Sequence, residues 1–389
     1  MMASVVGLAA CGGGGDAPPA ADEGRQTLAV AVTTAADTRP GALRGAAALG
    51  TVAPAEVILA MVNSRVPAIA PVYAVETFRL TYMTTDGQGQ PTLASGLLAV
   101  PKKPAGAMSP VISYQHATIF HDAQAPSNNP TASEPSVVLA SMGYIVVAAD
   151  YVGYGASKGA PHPYLLSAPM AAAVIDLLYA ARTHAGRSGL LPNGQLFLVG
   201  YSEGGYATAA AHRALQARGG DIATAVLGSA SGGAALDVGA TLDELLRRVR
   251  AESALLALLV NPDLLQNLGS SLRRQVRDEM LQRLLPSDAD VAFQTTFIDN
   301  FLANDRQAIN RDSDVHDWRP ATPVRLLHGR DDQTVPFLAT ERALQAMNAR
   351  GAPDVQLQEC TAVPAGHLQC VAQYWQYMLS QMAWVVRDL

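Results

Sequence analysis

One short run limits the fold more than any other. Leu196-Phe197-Leu198-Val199 is an apolar strand candidate, Gly200-Tyr201-Ser202-Glu203-Gly204-Gly205 follows without a break, and residues 203–218 form an alanine-rich helix candidate. A GxSxG pattern alone recurs by chance. Framed by a strand and a helix, it describes a sharp turn that lifts one serine above the end of a sheet. Glycine at 200 and 204 suits a turn where neighbouring segments come too close for side chains. Ser202 then sits at a helix N-terminus, whose free amides favour a developing anion.

The alternation continues along the chain. Residues 74–80 and 93–100, joined by the turn Thr85-Asp86-Gly87, read as strands, as do 111–114, 144–149, 225–227, 324–327 and 355–357. Helical spacing marks 168–182 and a closing helix over 370–386. Strands alternating with helices imply an α/β fold with a mostly parallel central sheet covered on both faces. Residues 235–318 break the rhythm with helical signals only. Thr241-Leu242-Asp243-Glu244 reads as a capping box opening a helix that runs to Val260, followed by helices over 272–285 and 288–304. Such a block is expected to be a helical cap; the alternative is a set of packing helices with no role at the site. The expected division is therefore a signal-like segment (1–11), a flexible Ala/Gly/Pro-rich linker (12–55), a core in two parts (56–234 and 319–389), and the cap between them.

Three further motifs join the serine turn. They are His328-Gly329-Arg330-Asp331-Asp332-Gln333-Thr334-Val335-Pro336, Ala365-Gly366-His367 and Tyr114-Gln115-His116-Ala117-Thr118. Together they resemble the α/β-hydrolase superfamily of serine hydrolases. A serine hydroxyl needs a base within reach, and this fold supplies acid and histidine after the serine. The resemblance implies Asp332 as the acid, with Asp331 the neighbouring alternative, and His367 as the general base. It implies backbone amides of Glu203 and Thr118 as oxyanion donors, with Ala117 held in reserve because alanine stands where the superfamily has glycine. Ala149-Asp150-Tyr151-Val152-Gly153-Tyr154-Gly155, His162-Pro163-Tyr164-Leu165 and the helical insertion narrow the likeness to the secretory-lipase branch, over residues 72–389. That branch implies hydrolysis of lipid or other apolar esters, without a cofactor. His116, Tyr201, His162 and Tyr164 are candidates for lining the site; core or loop-anchoring roles are the alternative for His162 and Tyr164.

Leu8-Ala9-Ala10-Cys11 resembles the lipobox of bacterial lipoproteins, which implies export, a lipid on Cys11 and membrane anchoring. No Lys or Arg precedes Cys11, so a Gly/Ala-rich tail with an isolated cysteine is the alternative. In an exported chain Cys360 and Cys370, which bracket His367, are expected to form a disulfide. A formal net charge of −6 without a basic cluster argues against nucleic acid as a partner. No HExxH, zinc-type Cys/His spacing or GxxxxGK is present, so metal and nucleotide chemistry have no sequence support. Two rivals to an esterase remain: a serine peptidase on the same fold, and a non-catalytic ligand-binding lipoprotein. The short segment before Tyr73 leaves no room for the N-terminal propeller usual in prolyl-type peptidases, and a complete set of motif residues speaks against a vestigial site.

Overall fold

In the computed structural model, residues 37–64, 70–252, 261–267, 269–383 and 386–389 are described. Nine strands form one sheet: β1 (Leu43–Val52), β2 (Val75–Thr85), β3 (Pro91–Pro101), β4 (Ser109–Gln115), β5 (Ile145–Ala149), β6 (Pro192–Tyr201), β7 (Val226–Gly232), β8 (Val324–His328) and β9 (Val355–Glu359). Their spatial order is 1-2-3-5-4-6-7-8-9. β1, β2 and β3 form an antiparallel meander, and β5, β4, β6, β7, β8 and β9 run parallel. The strand period of two divides adjacent residues between the faces. Leu98 and Leu198 join Met170 and Leu177 on one side, whereas Leu97 and Phe197 join Val137 and Met378 on the other.

Twelve helices accompany the strands among the described residues. They are α1 (Pro54–Ser64), α2 (Pro135–Ser141), α3 (Ser167–Ser188), α4 (Glu203–Arg218), α5 (Asp221–Ala225), α6 (Val238–Glu252), α7 (Pro262–Leu265), α8 (Ser270–Leu284), α9 (Thr296–Leu302), α10 (Arg306–Asp312), α11 (Phe337–Ala349) and α12 (Val371–Ala383). None is long and apolar enough to cross a membrane. After β4 the chain moves outward to β5, then returns past β4 to β6. That reversal opens a crevice beyond the carboxyl ends of β4 and β6, where open parallel sheets place their ligands.

Three expectations need correction. The stretch expected to be linker contains β1, which pairs with β2 from Leu43↔Tyr82 to Val52↔Val75, and the start of α1. Leu-Arg-Gly-Ala-Ala-Ala-Leu-Gly-Thr-Val has little β-propensity, and its outward residues are exposed; the backbone ladder to β2 makes it a strand. Helix α6 starts at Val238, not at Thr241: Asp237 Oδ1 accepts from the Ala240 amide at 2.7 Å, and the Thr241 hydroxyl bonds back to the Asp237 carbonyl at 2.7 Å. Residues 288–295, expected to be helical, instead run along the core, where His162 and Phe293 form a bridge. Residues 1–36, which include Cys11 and most of the expected linker, and residues 253–260 of the expected cap helix lie outside the described residues.

Candidate active site

The serine turn carries a conformation that few residues accept. Ser202 has φ 59° and ψ −123°, outside the ordinary basins for a residue with a Cβ. Its surroundings hold it there. The Ser202 amide donates to the Gly232 carbonyl at 2.7 Å, and the Tyr206 amide donates to the Ser202 carbonyl at 3.1 Å. A Cβ on Gly200 would lie 2.8 Å from the Gln115 carbonyl oxygen, and one on Gly204 would collide with the same oxygen. Tyr374 of α12 completes the support: its hydroxyl accepts from the Gly200 amide and donates to the Ala230 carbonyl, both at 2.8 Å.

The carboxyl ends of β6, β8 and β9 bring three side chains into line. Ser202 Oγ lies 2.9 Å from His367 Nε2, and His367 Nδ1 lies 2.6 Å from Asp332 Oδ2. A carboxylate only accepts, so Nδ1 carries the proton and Nε2 presents its lone pair to the serine hydroxyl. Asp332 is fully buried. Burial pushes its carboxyl up, but hydrogen bonds from His328 and His367, the imidazole charge and the Val335 amide outweigh this and hold it below the usual carboxylate range. Its other oxygen accepts from the Thr334 and Val335 amides at 2.8 and 2.9 Å. Asp331 is not part of this chain. It is exposed, and its Oδ2 accepts from the Ala365 amide at 2.8 Å, tying down the loop that carries His367.

That loop has two further anchors. The Tyr201 hydroxyl donates to the His367 carbonyl at 2.6 Å, with the two rings 5.3 Å apart. Cys360 and Cys370 are joined by a disulfide, with Cα atoms 5.8 Å apart. Tyr201 therefore lies beneath the histidine as a support.

The loop after β4 faces the serine turn, since Gly204 packs against the Gln115 and His116 carbonyls. Tyrosine hydroxyls fix its shape: Tyr151 donates to the His116 carbonyl at 3.2 Å and Tyr154 to the Ile119 carbonyl at 2.7 Å. His116 is buried, and its Nδ1 donates to the Ala117 carbonyl at 2.7 Å, so it braces the loop. A trans peptide points its N–H opposite to its C=O. With the Ala117 carbonyl taken by His116, the Thr118 amide faces away from that ring. Glu203, the first residue of α4, has a backbone N–H outside the helical ladder. Thr118 Oγ1 lies 3.3 Å from the half-buried Tyr164 hydroxyl. His162 is fully buried and does not line an open site; its Nε2 lies 2.6 Å from Glu203 Oε1. Neither this contact nor the role of Tyr374 is local in sequence, and no spacing rule could have found them.

The insertion between β7 and β8 meets the site at several points. Arg248 of α6 donates to the Asp332 carbonyl at 3.1 Å. Asp290 accepts from the Asp122 amide at 2.7 Å and pairs with Lys158 at 2.9 Å. At the base of the insertion Asp237, Asp314 and His316 present ligand-type atoms within 4.8 Å of one another. Asp237 Oδ1 and Asp314 Oδ1 accept from amides at the start of α6, and Arg342 lies 3.5 Å from Asp237 Oδ2. These contacts make the cluster a helix cap with a cationic partner.

Comparison with known proteins agrees with this architecture. Residues 136–385 match the secretory lipase family model. No curated protein sequence gives a significant match. Among solved structures, a Legionella pneumophila protein is 25% identical with a TM-score of 0.69, over 88% of this chain and 97% of that one. The rice cell wall degrading esterase LipA from Xanthomonas oryzae is 25% identical with a TM-score of 0.61, over 90% and 97%. Candida antarctica lipase A, at 17% identity and a TM-score of 0.53 over 85% and 78%, shares the fold.

Proposed function

We propose, for a chain that belongs to the secretory lipase family and is a carboxylic ester hydrolase on the α/β-hydrolase fold, that Ser202, His367 and Asp332 form the catalytic triad. The observation that carries this reading is the unbroken contact from Ser202 Oγ through the imidazole to Asp332, at 2.9 and 2.6 Å. As Ser202 Oγ bonds to the ester carbonyl carbon, its proton passes to His367 Nε2. Asp332 holds the ring's tautomer and stabilises the imidazolium. The carbonyl oxygen becomes an oxyanion held by the amides of Glu203 and Thr118. When the tetrahedral intermediate collapses, the ester C–O bond breaks and His367 returns the proton to the departing alkoxide. Water then attacks the acyl-enzyme by the same route and frees the acid.

The substrate class follows from the company the chain keeps. Arg248 of the insertion reaches the Asp332 carbonyl beside the triad, and the family and LipA act on esters, so apolar esters are the proposed substrates. Export, with a lipid on Cys11 holding the protein at a membrane, is part of the same reading; the Cys360–Cys370 disulfide supports an oxidising compartment. Ser202→Ala should abolish ester turnover except for a residue of roughly 10³–10⁴-fold over water, and a fluorophosphonate should label Ser202 alone. An active Ser202→Ala protein with label on another serine would overturn the assignment. A chain-length series of chromogenic esters beside aminoacyl anilides decides between esterase and peptidase. Palmitate labelling of wild type, absent in Cys11→Ser, tests the anchor.

A further inference from the structure

Glu203 presents a chemical problem at the residue next to the nucleophile. Its own backbone amide is a proposed oxyanion donor, yet its side chain is a carboxyl group, buried to within 1% beside the same helix start. An unpaired carboxylate one side-chain length from a developing oxyanion opposes the charge the site must stabilise. His162 answers it. The His162 Nδ1 faces the Val152 carbonyl at 2.8 Å, and a carbonyl only accepts, so Nδ1 carries a proton. The second nitrogen, Nε2, lies 2.6 Å from Glu203 Oε1, with one more proton between them. Whichever atom holds that proton, the pair as a whole is neutral.

Among the described residues, the rings packed against His162 carry no charge of their own. Tyr151 stacks on the His162 ring at 5.7 Å, and Tyr154, Tyr164 and Phe293 meet it edge-on at 5.1, 6.1 and 5.6 Å. Burial raises the phenols of Tyr151, Tyr154, Tyr164 and Tyr206 above their ordinary range, so they stay neutral. Burial lowers His116, which keeps that ring uncharged as well. The insertion seats the histidine: its amide donates to the Ala292 carbonyl and its carbonyl accepts from the Gln294 amide, both at 2.7 Å. Glu203 Oε2 is buried with no hydrogen-bond partner, which leaves His162 as the group that balances the carboxyl.

We propose that His162 is a positioning residue that neutralises Glu203, and so keeps negative charge from the oxyanion hole while holding the start of α4 in place. The proposal rests on the triad reading above. It separates charge from packing, because the two make opposite demands on a double substitution. His162→Gln keeps a hydrogen-bond donor for Glu203 but removes the neutralising partner. Coulomb's law across about 6 Å at an effective dielectric constant of about 20 makes this a loss on the order of 10²-fold in kcat, with KM near wild type. The loss should grow as pH rises. Glu203→Gln alone keeps the backbone amide and removes the charge, so it should lose less than His162→Gln. His162→Gln with Glu203→Gln should recover most of the loss and flatten the new pH limb.

The measurement is kcat per active site, with sites counted by complete fluorophosphonate titration so that misfolded protein lowers the titre and not the rate. A double variant no better than His162→Gln, or a single variant whose pH profile keeps the wild-type shape, would overturn the proposal in favour of packing. If His162→Gln yields no folded protein, Glu203→Gln decides: a loss beyond about 10²-fold at full titre means that the carboxylate itself is required, and the proposal fails. Failure of the triad reading would show separately, as turnover in Ser202→Ala.

Discussion

Adjacent aspartates give the sharpest test at the scale of single residues. Asp332 accepts hydrogen bonds from the Thr334 and Val335 amides and from His367, with His328 Nε2 3.2 Å away, and the bond from His367 sets the tautomer. Asp332→Asn can offer an amide N–H where the ring needs an acceptor, which should lower kcat by about 10⁴-fold. Asp331→Asn keeps an acceptor for the Ala365 amide and should cost less than about tenfold. Steady-state kinetics of the two variants checks both, and a reversed order would mean that the other aspartate serves the histidine. Asp176 is a second, unrelated case. Burial against the sheet raises its carboxyl to about 6, although the Thr84 hydroxyl bonds to it at 2.8 Å. A folded value above the unfolded one makes ionisation cost stability as pH rises through about 6. Asp176→Asn, which can still accept from Thr84, should therefore raise Tm at pH 8 by an amount worth up to about 2–3 kcal/mol, and the gain should vanish by pH 4. Thermal melts at both values decide it.

Among the elements, the loop between β9 and α12 has the most to lose. It carries His367, and a base displaced by about 1 Å can lose about 10²-fold in rate. The disulfide closes a ten-residue interval around it, a constraint worth about 2–3 kcal/mol on loop-closure arithmetic. Reduction should lower kcat and the temperature of inactivation before the sheet unfolds, as activity and far-UV circular dichroism followed in parallel would reveal. Loss of both signals together would assign the bridge to global stability instead. The strands of the parallel core were legible because Ile, Val and Leu runs bounded by glycine or proline have few other uses. β1 was not, since its alanines and glycines carry no period and only its partner strand defines it. The start of α6 was misplaced because two acceptable caps, Asp237 and Thr241, lie four residues apart. The residues of the proposed triad were legible because each belongs to a short motif in the stretch that follows a strand. Tyr374 and the His162–Glu203 contact depend on pairings between distant segments, and sequence order holds no trace of them.

On the scale of the whole molecule, the insertion is pinned to the core at several places. Phe293 is one, with its ring 5.6 Å from both His162 and Tyr164 and 5.9 Å from Phe120. Phe293→Ala should leave the melting of the sheet almost unchanged while loosening the insertion. Limited proteolysis with mass mapping should then find cuts within residues 235–318 appearing several-fold faster than in wild type, and unchanged cutting would place the hold elsewhere.

β7 and β8 are immediate neighbours in the sheet, paired from Ser229↔Val324 to Gly232↔Leu327. Beyond the end of β7 the Val315 amide donates to the Leu236 carbonyl at 3.0 Å, so the polypeptide leaves for the insertion and returns from it through almost the same doorway. Everything between can lengthen, shorten or be exchanged without altering a single strand crossing. The bonds from Ala292 and Gln294 to His162 and from Arg248 to Asp332 are the ones that any replacement would have to reproduce, so a chimera whose borrowed insertion lacks them should lose turnover.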